Sequence, residues 1–150
     1  MGRFLKYWLP VIVWMVVIFS ASTQLGTAEH SSRFFRPLML WLFPDISETV
    51  LDTAHFYFRK LGHLSEYALL AILMWHALKS VPSVTRSRGA WGQFLLVVLC
   101  CALYAGTDEL HQLFVVSREA RVMDVMIDTC GASVGALVFM GVNRWFSRWR

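Results

Sequence analysis

The chain has 150 residues, 57 % of them hydrophobic and only 16 % charged, whereas soluble domains carry about 25 % charged residues. With a mean hydropathy of +0.51, this composition excludes a disordered chain and an ordinary water-soluble domain, and the length suits one domain over 1–150. The net charge is +4, and in so apolar a chain surplus Lys and Arg flank membrane spans rather than bind nucleic acid. Cys100, Cys101 and Cys130 lie inside apolar runs, so neither a disulfide framework nor a CxxC metal site is readable.

Four stretches approach the roughly 20 apolar residues that a spanning helix needs: about 4–22, 61–78, 91–114 and 122–142. They are continuous rather than alternating, which excludes β-barrel strands. Backbone in lipid must satisfy its own hydrogen bonds, so these are helices. The first stretch also has the outline of a signal peptide, with Arg3 and Lys6 before an apolar run that ends in Ser20-Ala21-Ser22. Its length favours a retained helix.

Residues 23–60 form a long connection. Within it, 34–43 is apolar but too short to span, and it is expected to lie in the outer interface, bracketed by Pro37 and Pro44. Asp45 and Glu48 predict a capping box for a separate helix running to about Phe58. The loop 79–88 and the tail 143–150 are strongly basic, which predicts that both termini are cytoplasmic. Trp8, Trp41, Trp91, Trp145 and Trp149 near span ends read as interfacial anchors. The expected architecture is an all-α, polytopic four-helix membrane bundle with an interfacial segment in its first outer loop. Its immediate partner is the lipid bilayer.

Five of the ten acids, Glu66, Asp108, Glu109, Asp124 and Asp128, fall within or at the edge of the spans. A charge at the bilayer centre costs about 2.5–3.5 kcal/mol even on the mildest scale, so partners or a wet cavity are expected. Helical spacing brings the polar residues together. Arg59, His63 and Glu66 share one face, and Tyr104, Asp108 and His111 repeat the pattern with Glu109 and Gln112 alongside. Arg121, Asp124, Asp128, Gly131 and Gly135 share another face, and Gly131-x-x-x-Gly135 permits close helix approach. Ser20, Ser22, Thr23 and Gln24 close the first span. Alternating span directions put all these groups at the outer end.

Arg59-Lys60-Leu61-Gly62-His63-Leu64-Ser65-Glu66-Tyr67 resembles the RK-x-GH-x-x-EY signature of VanZ-like membrane proteins. Tyr104-Ala105-Gly106-Thr107-Asp108-Glu109-Leu110-His111-Gln112 is similar to their YA-x-x-DE-x-HQ signature, and Arg118 with Asp124 to Gly131 and Gly135 to the third. Ser22-Thr23-Gln24 stands where the family has Ser-Ser-Gln, and Val116-Ser117 where Pro-Gly often precedes the Arg. The resemblance implies a bacterial, multi-pass protein of the cytoplasmic membrane whose family namesake confers low-level resistance to the glycopeptide teicoplanin. It brings no agreed activity, and the cofactor stays unknown.

Three readings of the polar cluster stay open. Its members are structural glue, pairing as Glu66 with Arg118 or Asp128 with Arg59. Alternatively, Arg59, Lys60, Arg118 and Arg121 bind an anionic or sugar-bearing, lipid-linked envelope precursor, with Asp108, Glu109, Gln112 and Gln24 meeting its hydroxyls and amides. In the third, His63, His111, Glu66 and Asp108 perform acid–base or metal-assisted catalysis on such a lipid. No HExxH and no obvious Ser or Cys nucleophile is present, so no metal ligand is assigned. The expected site core is His63, Glu66, Asp108, Glu109, His111 and Asp124, with Tyr67, Tyr104, Gln112 and Asp128 beside it and Arg59, Lys60 and Arg118 as a cationic rim. No role is assigned to His30 or His55, and the oligomeric state is left open.

Overall fold

The computed structural model describes residues 2–23, 28–114, 121–147 and 149. They form six helices: α1 Gly2–Ala21, α2 Ala28–Leu42, α3 Glu48–Leu78, α4 Pro82–Ser87, α5 Ala90–Gln112 and α6 Val122–Ser147. Helix takes up 88 % of the described residues, and none of them is in a strand. Three helices are long and apolar enough to cross a membrane: Phe4–Ala21, Ala90–Gln112 and Val122–Ser147.

The expected span at 61–78 is the second half of α3, and it is not one of these three. His63, Glu66 and His76 lower its hydropathy. Its apolar residues, including Tyr67, Leu70, Ala71, Trp75 and Ala77, are buried against other helices. The expected division into a helix ending near Phe58 and a span beginning at Leu61 is also corrected. No Pro interrupts 48–78, so the helix runs unbroken for 31 residues, a rod of about 46 Å at 1.5 Å per residue.

The capping box on Asp45 and Glu48 is not formed. Ser47 is the N-cap, in extended conformation, and its hydroxyl accepts from the Val50 amide at 3.4 Å. Glu48 is instead the first helical residue, where its charge suits the helix N-terminus. Pro37 does not bracket the apolar piece but lies inside α2. Pro44 does follow the helix end closely, where the chain cannot continue as helix. α6 extends past residue 142 to Ser147, which puts Arg144 in its last turn.

α3 is the axis of the molecule, touching α1, α2, α4, α5 and α6, and its most extensive contact is with α6. Gly131 and Gly135 explain that closeness. A Cβ on Gly131 would stand 2.9 Å from Leu64 Cα, and one on Gly135 2.7 Å from Ala68 Cα. Bare Cα–H surface lets the two backbones meet. α1 lies on α3 through buried Val11 and Ile18. Trp14 Nε1 donates to the Glu66 carbonyl at 2.9 Å, and Tyr104 OH of α5 donates to the Met15 carbonyl at 2.6 Å.

The apolar surplus faces outward. Phe4, Ile12 and Val16 of α1, Leu95, Leu99 and Leu103 of α5, and Val134 and Val138 of α6 are all exposed. Among the described residues, the buried polar set is Ser22, Asp108, Glu109, Gln112, Asp124 and Asp128. An apolar exterior with the charged groups drawn into the bundle is the arrangement that lipid selects.

Candidate functional site

The polar residues gather where α1, α5, the middle of α3 and the start of α6 come together, but in separate groups. On the α3–α6 seam, Lys60 forms an ion pair with Asp124, and His63 Nδ1 lies 3.4 Å from Asp128 Oδ1. These partners follow from helix register: positions 60 and 63 on α3 face 124 and 128 on the neighbouring helix. Asp128 therefore meets His63 rather than Arg59, the partner expected for it.

A second group joins α1 to α5. The Ser22 hydroxyl donates to Asp108 Oδ2, and Gln112 Nε2 donates to the same oxygen at 3.2 Å. Glu109 Oε2 accepts from the Arg121 backbone amide at 2.9 Å and so ties α5 to the entry of α6. Asp108, Glu109 and Gln112 are all buried. Among the described residues, Glu109 Oε1 and the Tyr67 hydroxyl are buried without a hydrogen-bond partner, the setting in which an ordered water is expected.

Two expected site residues make ring and backbone contacts with α1. His111 is on the adjoining strip of α5, with its ring 4.3 Å from that of Phe19. Tyr104 makes the Met15 bond and a tilted contact with Tyr67, centroids 6.2 Å apart. Arg118 and Gln24 lie outside the described residues. Among the described residues, no group of three or more His, Cys, Asp or Glu is placed to share a metal ion.

Two of the cavities at this end share a wall. The larger, about 390 Å³, is lined by Asp52, His55, Arg59, Lys60, Arg121 and Asp124, with Phe56 and His63. The smaller, about 160 Å³, lies towards α1 and is lined by Ser22, Ser31, Phe58, Gly62 and Glu66. Arg59 and His63 line both and form the wall between them.

Residues 7–146 match the model of a single protein family, described as VanZ/LLP1. The chain belongs to the VanZ/LLP1 family. Comparison with curated proteins and with solved structures gives no significant match. The first two signatures that resemble VanZ-like proteins lie on α3 and α5, and the described part of the third, Asp124 to Gly135, lies on α6.

Asp52, His55 and Phe56 were not foreseen as part of the site. They lie one to two turns before Arg59 and His63, so reading 48–78 as one helix would have placed Asp52, Phe56, Arg59 and His63 on one face. Partial burial and the Arg59 guanidinium hold the His55 imidazole below its ordinary range, against the pull of Asp52. Burial also lowers Arg59 from its usual value, opposed by Asp124 and assisted by Arg121. Ample charge remains on Arg59 at neutral pH. The larger cavity thus presents the Arg59 and Arg121 side chains beside the Lys60–Asp124 pair and the Asp52 carboxylate.

Proposed function

We propose that this VanZ/LLP1 chain is a four-span protein of the bacterial cytoplasmic membrane, with both termini inside. Its outer cavity binds the anionic headgroup of a lipid-linked envelope component and so alters susceptibility to teicoplanin-type glycopeptides. The observation that carries this reading is the cavity of about 390 Å³ with Arg59, Lys60, Arg121 and two histidines in its wall, three cations against the two carboxylates Asp52 and Asp124. A volume of that order suits a small-molecule headgroup, and Arg suits bidentate contact with phosphate.

The fourth span is the second half of α3, whose single formal charge, Glu66, faces the bundle rather than lipid. α2 supports an interfacial role, because Phe34, Leu38 and Trp41 are exposed along a helix too short to span. The basic 79–88 loop and C-terminal tail support the orientation.

A second reading has its own support. Asp128, only 1 % exposed, faces His63 Nδ1, which leaves Nε2 for the cavity. A carboxylate that fixes an imidazole in this way serves general acid–base catalysis. The test compares empty vector, wild type, Arg59→Ala and His63→Gln at matched membrane levels in a teicoplanin-sensitive Gram-positive host. Protection by wild type that Arg59→Ala loses and His63→Gln keeps is the expected result. Loss in His63→Gln with the bound lipid retained would favour catalysis. Equal protection by all three proteins would make the cluster structural and overturn the proposal.

A further inference from the structure

Arg59 and His63 are walls of two chambers, not of one. The chambers differ in chemistry. The larger carries Lys60, Arg121 and His55 beside the shared pair, together with the carboxylates of Asp124, which is paired with Lys60, and Asp52, which is paired with Arg36. The smaller carries the Glu66 carboxylate, the Ser22 and Ser31 hydroxyls, the open backbone of Gly62 and the ring of Phe58. We propose that the two form one bipartite site for a phosphate-linked polyol, with the phosphate in the larger chamber and a glycerol or sugar ring in the smaller. This rests on the anionic-headgroup reading above and names the specificity-determining residues within it: Glu66, Gly62 and Phe58.

The chemistry of the smaller chamber selects a polyol over an amine. An ammonium would meet Glu66 favourably but would face the Arg59 guanidinium across a chamber of about 160 Å³. A hydroxyl answers both, since it donates to the carboxylate and accepts from the guanidinium. The Phe58 ring offers an apolar face for the C–H side of a polyol. The open space over Gly62, where an added Cβ would meet nothing within 4 Å, leaves room for that group. Because Arg59 borders both chambers, one guanidinium reaches the phosphate and the first hydroxyl together, which fixes their order along the ligand.

The experiment uses the purified full chain in phosphatidylcholine nanodiscs doped with phosphatidylglycerol, phosphatidylinositol, phosphatidylserine or phosphatidic acid, with bound lipid counted by native mass spectrometry. Wild type is expected to prefer the two polyol lipids over phosphatidylserine by about tenfold or more, the worth of one hydrogen bond to a charged group. Glu66→Gln and, independently, Gly62→Leu, which fills the smaller chamber, are expected to erase that preference while phosphatidic acid still binds. Arg59→Ala is expected to weaken every anionic lipid. If wild type binds all four anionic lipids equally and Arg59→Ala still weakens them, the bipartite site is wrong and the anionic-headgroup reading stands. If no anionic lipid is enriched over phosphatidylcholine, both fall.

Discussion

His55 ties the site to the loop helix above it. Its Nε2 lies 2.9 Å from Ser31 Oγ, and its ring lies 5.0 Å from that of Phe35. Arg36 of the same helix reaches Glu48 and, at 3.2 Å, Asp52. The folded protein keeps the His55 pKa below its unfolded value, which lies near 6.5. The folded state then binds fewer protons than the unfolded state as pH falls through that value, so stability is lost on acidification. Protection factors in α2, which remove the intrinsic slowing of amide exchange at lower pH, are expected to fall between about pH 7.5 and 5.5, and His55→Gln to remove most of that pH dependence. An unchanged pH profile in the variant would assign the effect elsewhere.

The Lys60–Asp124 pair also belongs to the residue scale. Both side chains are largely withdrawn from solvent, at 19 % and 12 % exposure. Removing one leaves the other half-sunk and uncompensated, so Asp124→Ala is expected to cost about 1–3 kcal/mol. Lys60→Met added to it should restore much of that loss. Denaturant unfolding in mild detergent reads the coupling, and strictly additive losses would mean the pair carries none.

At the scale of elements, the α3–α6 seam depends on two missing side chains. Gly131→Ala and Gly135→Ala each drive a methyl into the backbone of Leu64 or Ala68, and overpacking of this kind costs about 1–3 kcal/mol. Gly141, on the same helix, has open space. There, Gly141→Ala is expected to gain about 0.5–1 kcal/mol from helix propensity. Opposite shifts in melting temperature are the expected outcome. A tolerated Gly131→Ala would mean that the helices stand further apart than the structure places them. Separating α3 from α6 would also pull Lys60 from Asp124 and His63 from Asp128, so the glycines position the site as well as the fold.

For the whole molecule, the testable quantity is topology. With Cys100, Cys101 and Cys130 replaced by Ser, a single Cys at Asp45 is expected to react with a membrane-impermeant maleimide on intact cells. One at Ser83 should react only after permeabilisation. Reversed labelling would turn the bundle over and put the cavities on the cytoplasmic face.

Much of this was legible in the chain order of its residues. Three apolar runs read as spans became the helices apolar enough to cross a membrane, and the i, i+3, i+4 spacing around Asp108, Asp124 and Gly131 fixed which residues share a face, because helical geometry is local. The glycine pair announced a close helix contact, since no side chain could stand there. The sequence did not mark which helix becomes the axis. α3 takes that place although it carries His63, Glu66 and His76, because polar side chains on a helix cost least where other helices surround them. Nor did it decide partners across helices: Asp128 meets His63 and Ser22 meets Asp108 only once rotation and offset between packed helices are set. The unbroken length of α3, which carries Asp52 and His55 down to Arg59, was hidden because the charged Arg59-Lys60 step looked like a boundary. Tertiary packing overrode that step, because those two cations found an acid and a cavity at the end of the bundle.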